Sequence, residues 1–279
     1  MPDKLAAHDD IIDEVTRELS SAYETGAMVA APPSQRPSFD LDTAYAVEAE
    51  LKNIRECGGH KAIGRKVGYA NKAMWRVFKL ETLVWAHMYE DTVHYSDNNS
   101  AKLTLSNSRS LKIEPEIVFG LKDRIMGEKP DASAVLAAVE WLAMGFEIID
   151  CPFPDWRFQP SDFVASFGLH AALVIGERVQ VGRDNIATLI EDLGQFKVRM
   201  SKNGEFIEEG SGKNSLKSPA LCLAELSVAI AKRFPSVPLG AGEIVSSGTL
   251  TAGHFLEKND LWKADLDGIP LPSLTLRFE

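Results

Sequence analysis

The sequence predicts an α+β fold: a mixed β-sheet barrel or roll with a helical N-terminal segment. Three observations carry this. Two helix-period segments fill roughly the first 60 residues, short strand-like runs dominate the rest of the chain, and few further helices interrupt them. The division expected is a helical segment over 1–60 and a β-rich domain over 61–279.

Residues from about His8 to Tyr23 place Ile11, Ile12, Val15 and Leu19 at helical spacing between acidic and polar positions. The proline-rich stretch Ala30–Pro37 then breaks the helix. Asp40 or Asp42 is positioned to cap a second helix carrying Ala44, Val47, Leu51 and Ile54, which stops before Gly58-Gly59. Beyond it the period shortens. Strands are expected at Ala62–Tyr69, Leu111–Leu121, Phe146–Ile149, Ala171–Ile175, Phe196–Ser201, Ile244–Ser246 and Leu274–Phe278. Helices are expected over Ala132–Met144 and over Ala220–Arg233, the latter with Pro219 in its first turn.

Composition narrows the class. A formal net charge of −10 argues against a nucleic-acid or anionic-membrane partner, which would select a basic face. No apolar run approaches the ~18–20 residues needed to span a bilayer. The acidic start MPDKLAAHDDIIDEV lacks a signal-peptide core, and Cys57, Cys151 and Cys222 show no CxxC spacing. A cytoplasmic protein with reduced thiols is the expectation.

Lys112-Ile-Glu-Pro-Glu-Ile-Val-Phe119 is the most informative stretch. Alternate strand side chains share a face, so Glu114 and Glu116 point one way while Ile113, Ile117 and Phe119 enter the core. Two like charges so placed repel unless something positive lies between them. A hard divalent cation, Mg²⁺ or Mn²⁺, is the natural partner for such oxygen donors. Pro115 removes a ladder donor and suits an edge or bulge. Glu147, between Phe146 and Ile148, adds a third carboxylate in apolar surroundings, where an acid is either paired or a ligand. Asp150 competes for that role in the same segment.

Gly64-Arg-Lys-Val-Gly68, Ile113-Glu-Pro-Glu-Ile117, Phe146-Glu-Ile-Ile-Asp150 and Ser247-Gly-Thr-Leu-Thr251 occur in one order. With Asp155-Trp-Arg-Phe-Gln159 and Asp162-Phe-Val-Ala165, that series resembles the fumarylacetoacetate hydrolase superfamily, on its 2-oxopent-4-enoate hydratase and 4-oxalocrotonate decarboxylase branch. The resemblance runs from about residue 40 to the C-terminus. It implies a fumarylacetoacetate hydrolase-like roll over 61–279 as the catalytic domain, and a homo-oligomer. It also implies a Mg²⁺ or Mn²⁺ ion on Glu114, Glu116 and Glu147, an active-site lysine at Lys66, and a substrate-binding turn at Ser247, Gly248 and Thr249.

Two departures stand out. Val84 occupies a position where hydratases of this branch carry an Asp, and Ser166-Phe-Gly-Leu-His170 replaces an Asp-Asn-Ala-Ser turn. His170, and His87 near the lost Asp, are therefore candidates for the missing acid/base. Arg65 and Arg157 could steer an anion, and Trp85 and Phe167 could line a tail pocket.

The chemistry implied is that of a divalent-metal-dependent lyase, of hydratase or decarboxylase type. Its substrate would be a small anionic 2-oxo acid or 2-hydroxy-2,4-dienoate, reacting through an enolate that the metal stabilises. A C–C bond hydrolase of acylpyruvate or fumarylacetoacetate type uses the same device. A non-catalytic scaffold or binding protein is a third reading, disfavoured by the retained carboxylates and Lys66.

Overall fold

The computed structural model describes residues 2–279, with side chains described from Asp9 onward. Two helices open the chain, α1 (Pro2–Thr25) and α2 (Leu41–Cys57), joined through the proline-rich turn. Asp40 is the cap of α2, its carboxylate accepting from Thr43 N at 2.9 Å. Val15, Leu19, Ala44, Val47 and Leu51 are buried in the same hydrophobic cluster as the sheet residues Ile113, Ile117 and Phe119.

The β-rich part begins with β1 (Ala62–Gly68), α3 (Lys72–Phe78), β2 (Val84–Tyr89), β3 (Val93–Tyr95), β4 (Ser100–Leu103) and β5 (Leu111–Leu121). Next come α4 (Ala132–Ala138), β6 (Val139–Asp150), α5 (Pro160–Ala165), β7 (His170–Ile175) and β8 (Val179–Gln180). The chain closes with α6 (Ile186–Gln195), β9 (Lys197–Lys202), β10 (Glu205–Ser211), α7 (Pro219–Arg233), β11 (Ile244–Ser246), β12 (His254–Phe255), β13 (Leu261–Asp267) and β14 (Leu274–Phe278).

The larger sheet has the order β2-β1-β11-β5-β6-β7-β3, with β12 added to β5 and β8 to β6; the smaller is β10-β9-β13-β14-β4. Both are mixed. Strand pairs β1·β11 and β3·β7 are parallel in the first sheet, and β14·β4 in the second, among otherwise antiparallel neighbours. This is the α+β mixed roll expected from the sequence.

One element differs in kind. The helix expected over Ala132–Met144 ends at Ala138, and Val139 begins a 12-residue strand. The run Val139–Met144 is apolar without a clear period, which local pattern cannot assign. Pairing decides it, because β6 lies antiparallel to β5 from Leu111↔Asp150 to Leu121↔Val139 and both ladders' backbone groups are satisfied together. Strands β2, β3, β4, β8, β10, β12 and β13 and the short helices α3, α5 and α6 have no counterpart among the elements expected from the sequence.

The larger sheet carries two faces of different character. Ile113, Ile117, Phe119, Phe146 and Ile148 join the main core on one side. On the other, Val118, Ala143, Leu173 and Ile244 form a second buried apolar cluster. That second face, next to this cluster, holds the charged residues.

Candidate active site

Register brings the acids together. Glu114 lies directly opposite Glu147 across β5 and β6, and Glu116 lies opposite Gly145. One oxygen from each of the three glutamates falls within 4.8 Å of the others. Three carboxylates so close cost free energy unless protons or a cation separate them.

The surroundings are built for them. Lys66 on β1 is aligned with Ser246 on β11, which is aligned with Val118 on β5, so all three share the face that bears Glu116. Lys66 Nζ stands 2.9 Å from Glu147 Oε2 and donates to Gly168 O at 2.9 Å. Glu116 Oε2 accepts from the Ser246 hydroxyl and from Gly248 N at 2.8 Å. His170 Nδ1 is 2.9 Å from Glu147 Oε1, and its Nε2 is 3.0 Å from the Thr92 hydroxyl.

His170 reaches Glu147 because of a bulge. The β6–β7 register passes from Ile148↔Ala172 to Ile149↔His170, leaving Ala171 unpaired and turning His170 onto the face of Glu147. The preceding turn is left-handed at Phe167, Gly168 and Leu169. At Gly168 a Cβ would stand 2.6 Å from Lys66 Cδ, so glycine is needed for the lysine to pass.

The electrostatics divide the acids. Burial drives Glu114 up to about 7, with Lys66 opposing and Glu147 adding to the rise. Burial and then repulsion from Glu147 push Glu116 well above the usual carboxylate range. Burial also opposes ionisation of Glu147, but Lys66 and His170 outweigh it and hold its carboxyl below the ordinary value. Glu147 is thus the acid most readily ionised, while the other two hold their protons more tightly than an ordinary carboxyl.

The residues fit a hard divalent cation. Glu116 Oε1 is buried without a hydrogen-bond partner, and Glu147 Oε2 has only the nearby Lys66 ammonium, off hydrogen-bond geometry. Beside them, Gly253 leaves the third carboxylate room: a Cβ there would come 2.8 Å from Glu114 Oε1. All-oxygen donors of this kind suit Mg²⁺ or Mn²⁺.

A cavity of about 770 Å³ opens beside this cluster, lined by Lys66, Glu114, Gly248 and Thr249 among others. Thr249 therefore faces the cavity, its hydroxyl bonded to Thr251 O at 3.0 Å. Gly248 contributes chiefly its N–H to Glu116, and its left-handed backbone (φ 87°) brings it against Ala70. Ser247 is fully buried and outside the cavity wall, so it does not join Thr249 as expected. Ser246, unanticipated, supplies the hydroxyl that reaches Glu116; strand alternation places it, not Ser247, on the carboxylate face.

His87 is a clear correction. It pairs with Arg65 across β1 and β2, one residue out of phase with Lys66↔Ala86, and so lies on the opposite face. There its Nδ1 is bonded to buried Glu48. Arg65 is bound to Glu243 at 2.8 Å on that side, and Trp85 is buried against Tyr45. Asp150 is also out of the cluster, accepting from Arg109 and from Ser110 N. Phe167 faces a separate cavity of about 330 Å³ with Tyr23 and His94.

A mixed roll presenting three clustered glutamates beside a buried lysine has the donor set of a carboxylate metal centre. The chain belongs to the fumarylacetoacetate hydrolase family: residues 68–276 match the family described as Fumarylacetoacetate (FAA) hydrolase C-terminal. It is 28% identical over 239 residues to 2-hydroxyhexa-2,4-dienoate hydratase of Comamonas testosteroni, covering 86% of this chain and 87% of that protein. To 4-oxalocrotonate decarboxylase of Pseudomonas sp. (strain CF600) it is 29% identical over 242 residues, covering 87% of each. The fold is shared with 4-oxalocrotonate decarboxylase from Pseudomonas putida G7 complexed with magnesium and adipate, with a TM-score of 0.85 at 23% identity, covering 97% of this chain and 98% of that one.

Proposed function

We propose that this protein is a divalent-metal-dependent lyase of the hydratase or decarboxylase kind, acting on a 2-hydroxy-2,4-dienoate or related 2-oxo acid. The observation that carries the reading is the convergence of Glu114, Glu116 and Glu147 within 4.8 Å, beside the only cation lining the cavity among the described residues, Lys66. The names of the relatives, hydratases and decarboxylases of dienoate and oxo-acid substrates, support the same class.

In this reading Glu114, Glu116 and Glu147 hold Mg²⁺ or Mn²⁺, which when bound supplies Lewis-acid stabilisation of negative charge on a substrate oxygen. Lys66 Nζ, buried and anchored at Gly168 O, presents its ammonium to the substrate's carboxylate or 2-oxygen. Gly248 and Ser246 keep Glu116 in place. Thr249 borders the bound acid. His170, placed behind Glu147, orients that carboxylate rather than meeting substrate.

No helix among the described residues is long and apolar enough to cross a membrane. The unpaired thiols of Cys57, Cys151 and Cys222 support a cytoplasmic setting, and a homo-oligomer accompanies the reading.

The test is product analysis with purified, Mn²⁺-loaded protein and a 2-hydroxy-2,4-dienoate. Alongside it the protein is offered a 2-oxo acid bearing a second, β or vinylogous carboxylate, and an acylpyruvate. Hydration of the dienoate or loss of CO₂ from the diacid is expected; cleavage of the acylpyruvate to two acids would instead make it a C–C hydrolase. Absence of turnover together with absence of Mn²⁺ binding would leave a scaffold.

A further inference from the structure

The cavity is far larger than its chemical end requires. Sites of about 770 Å³ accommodate ligands well beyond a five- or six-carbon acid. Its wall changes character with distance from the carboxylates. Lys66 Nζ lies 4.7 Å above the Phe163 ring, Phe163 packs edge-on against Tyr69 at 5.7 Å, and Tyr69 packs edge-on against Phe78 at 5.2 Å. Met74, 38% exposed, carries this apolar run along α3 to the surface. Trp156 and Phe158 line the cavity from another segment.

Charge is correspondingly scarce. Lys66 is the sole cation among the described lining residues, and it is already engaged by Glu147 and Gly168 O. The one acid on the described wall away from the carboxylate cluster is Glu208, held by His254 at 2.8 Å and by Ala252 N. A carboxylate on the substrate's tail would find no cation but Lys66 on the described wall, Lys112 being stacked on the Trp156 and Phe255 rings, and would face Glu208. An aromatic or alkyl group would instead bury apolar surface against rings.

We propose that the substrate is a monoacid: the 2-oxo or 2-hydroxydienoate head bears a bulky, uncharged apolar tail, aromatic or long-chain alkyl, seated against Phe163, Tyr69 and Phe78. This selects against a second carboxylate. The inference rests on the hydratase side of the lyase reading for the head, since decarboxylation through an enolate would consume a second carboxylate, and it adds what the tail must be.

The experiment titrates Mn²⁺-loaded protein with three 2-oxo acids sharing one head: pyruvate, 2-oxoadipate and 2-oxo-5-phenylpentanoate, followed by calorimetry. The phenyl acid is expected to bind at least about tenfold more tightly than pyruvate, and 2-oxoadipate no more tightly than pyruvate. In Phe78→Ala the ratio of phenyl acid to pyruvate should shrink. In Phe78→Arg, at a part-exposed position, preference should move toward 2-oxoadipate. Pyruvate binding with no preference for the phenyl tail, or with 2-oxoadipate favoured, overturns this proposal alone. Failure of all three acids to bind overturns the lyase reading and this proposal together.

Discussion

His170 Nδ1 sits 2.9 Å from Glu147 Oε1, on the side of the carboxylate away from Lys66. That contact changes what the histidine is expected to do. It does not line the cavity beside the carboxylates; it bonds the one glutamate of the cluster whose carboxyl is held below its ordinary value, and Thr92 bonds the histidine in turn. Such supports behind a ligand usually matter about 10–100-fold for metal affinity or activity.

His170→Ala should therefore lower Mn²⁺ affinity by about 10–100-fold, read by electron paramagnetic resonance titration. Turnover at saturating Mn²⁺ should recover much of its wild-type value. A collapse of turnover with metal affinity unchanged would return His170 to the role of proton carrier.

Stability should depend on pH with opposite sign in the metal-free and loaded protein. Glu114 is pushed from 4.5 up to about 7, and Glu116 also lies well above its ordinary value, so the metal-free fold binds protons more tightly than the unfolded chain. That contribution is fully present below about 4.5 and is lost as pH rises through 7. A cation that displaces the protons binds better as pH rises. The rise in melting temperature on adding Mn²⁺ should be larger near about pH 8 than near about pH 5.5. Equal rises would argue that these carboxylates do not bind the ion.

Glu116→Gln should stabilise the metal-free protein near neutral pH, because it removes a buried acid crowded by Glu147 and keeps an acceptor for Ser246 and Gly248. The same variant should lose the Mn²⁺-induced rise in melting temperature. Retention of that rise would remove Glu116 from the ligand set.

Gly168→Ala tests the seat of Lys66. Its backbone is left-handed (φ 61°), and the added methyl would meet Lys66 Cδ. The left-handed conformation alone costs an alanine about 1–2 kcal/mol. Urea denaturation should show that loss, and kcat should fall further than Mn²⁺ affinity. Unchanged kcat would mean that Lys66 does not act on substrate from its present position.

His87→Ala should separate stability from chemistry. It leaves Glu48 buried and without its ring partner, a loss of about 1–3 kcal/mol. Mn²⁺ affinity and kcat should stay at wild-type levels, since His87 lies on the face of β2 opposite Lys66. A specific loss of turnover would contradict that placement.

Much of this site was legible in local pattern. The two-residue period of β5 was enough to set Glu114 and Glu116 on one face and Ile113, Ile117 and Phe119 on the other, because strand geometry alone dictates it. Phe146 and Ile148 placed Glu147 by the same rule, and the ordered motifs led to the family and its ion. Local pattern could not decide where β6 begins, which of Ser246 and Ser247 faces the acids, or on which side of β2 His87 falls. Those depend on register between strands far apart in the chain, where a shift of one residue exchanges the faces. The bulge at Ala171 is the sharpest case: it turns His170 onto the face of Glu147, and only the pairing of β6 with β7 produces it. Residue order supplied the candidate side chains and the family motifs, because strand period is local; tertiary pairing decided which of those candidates meet, because register is not.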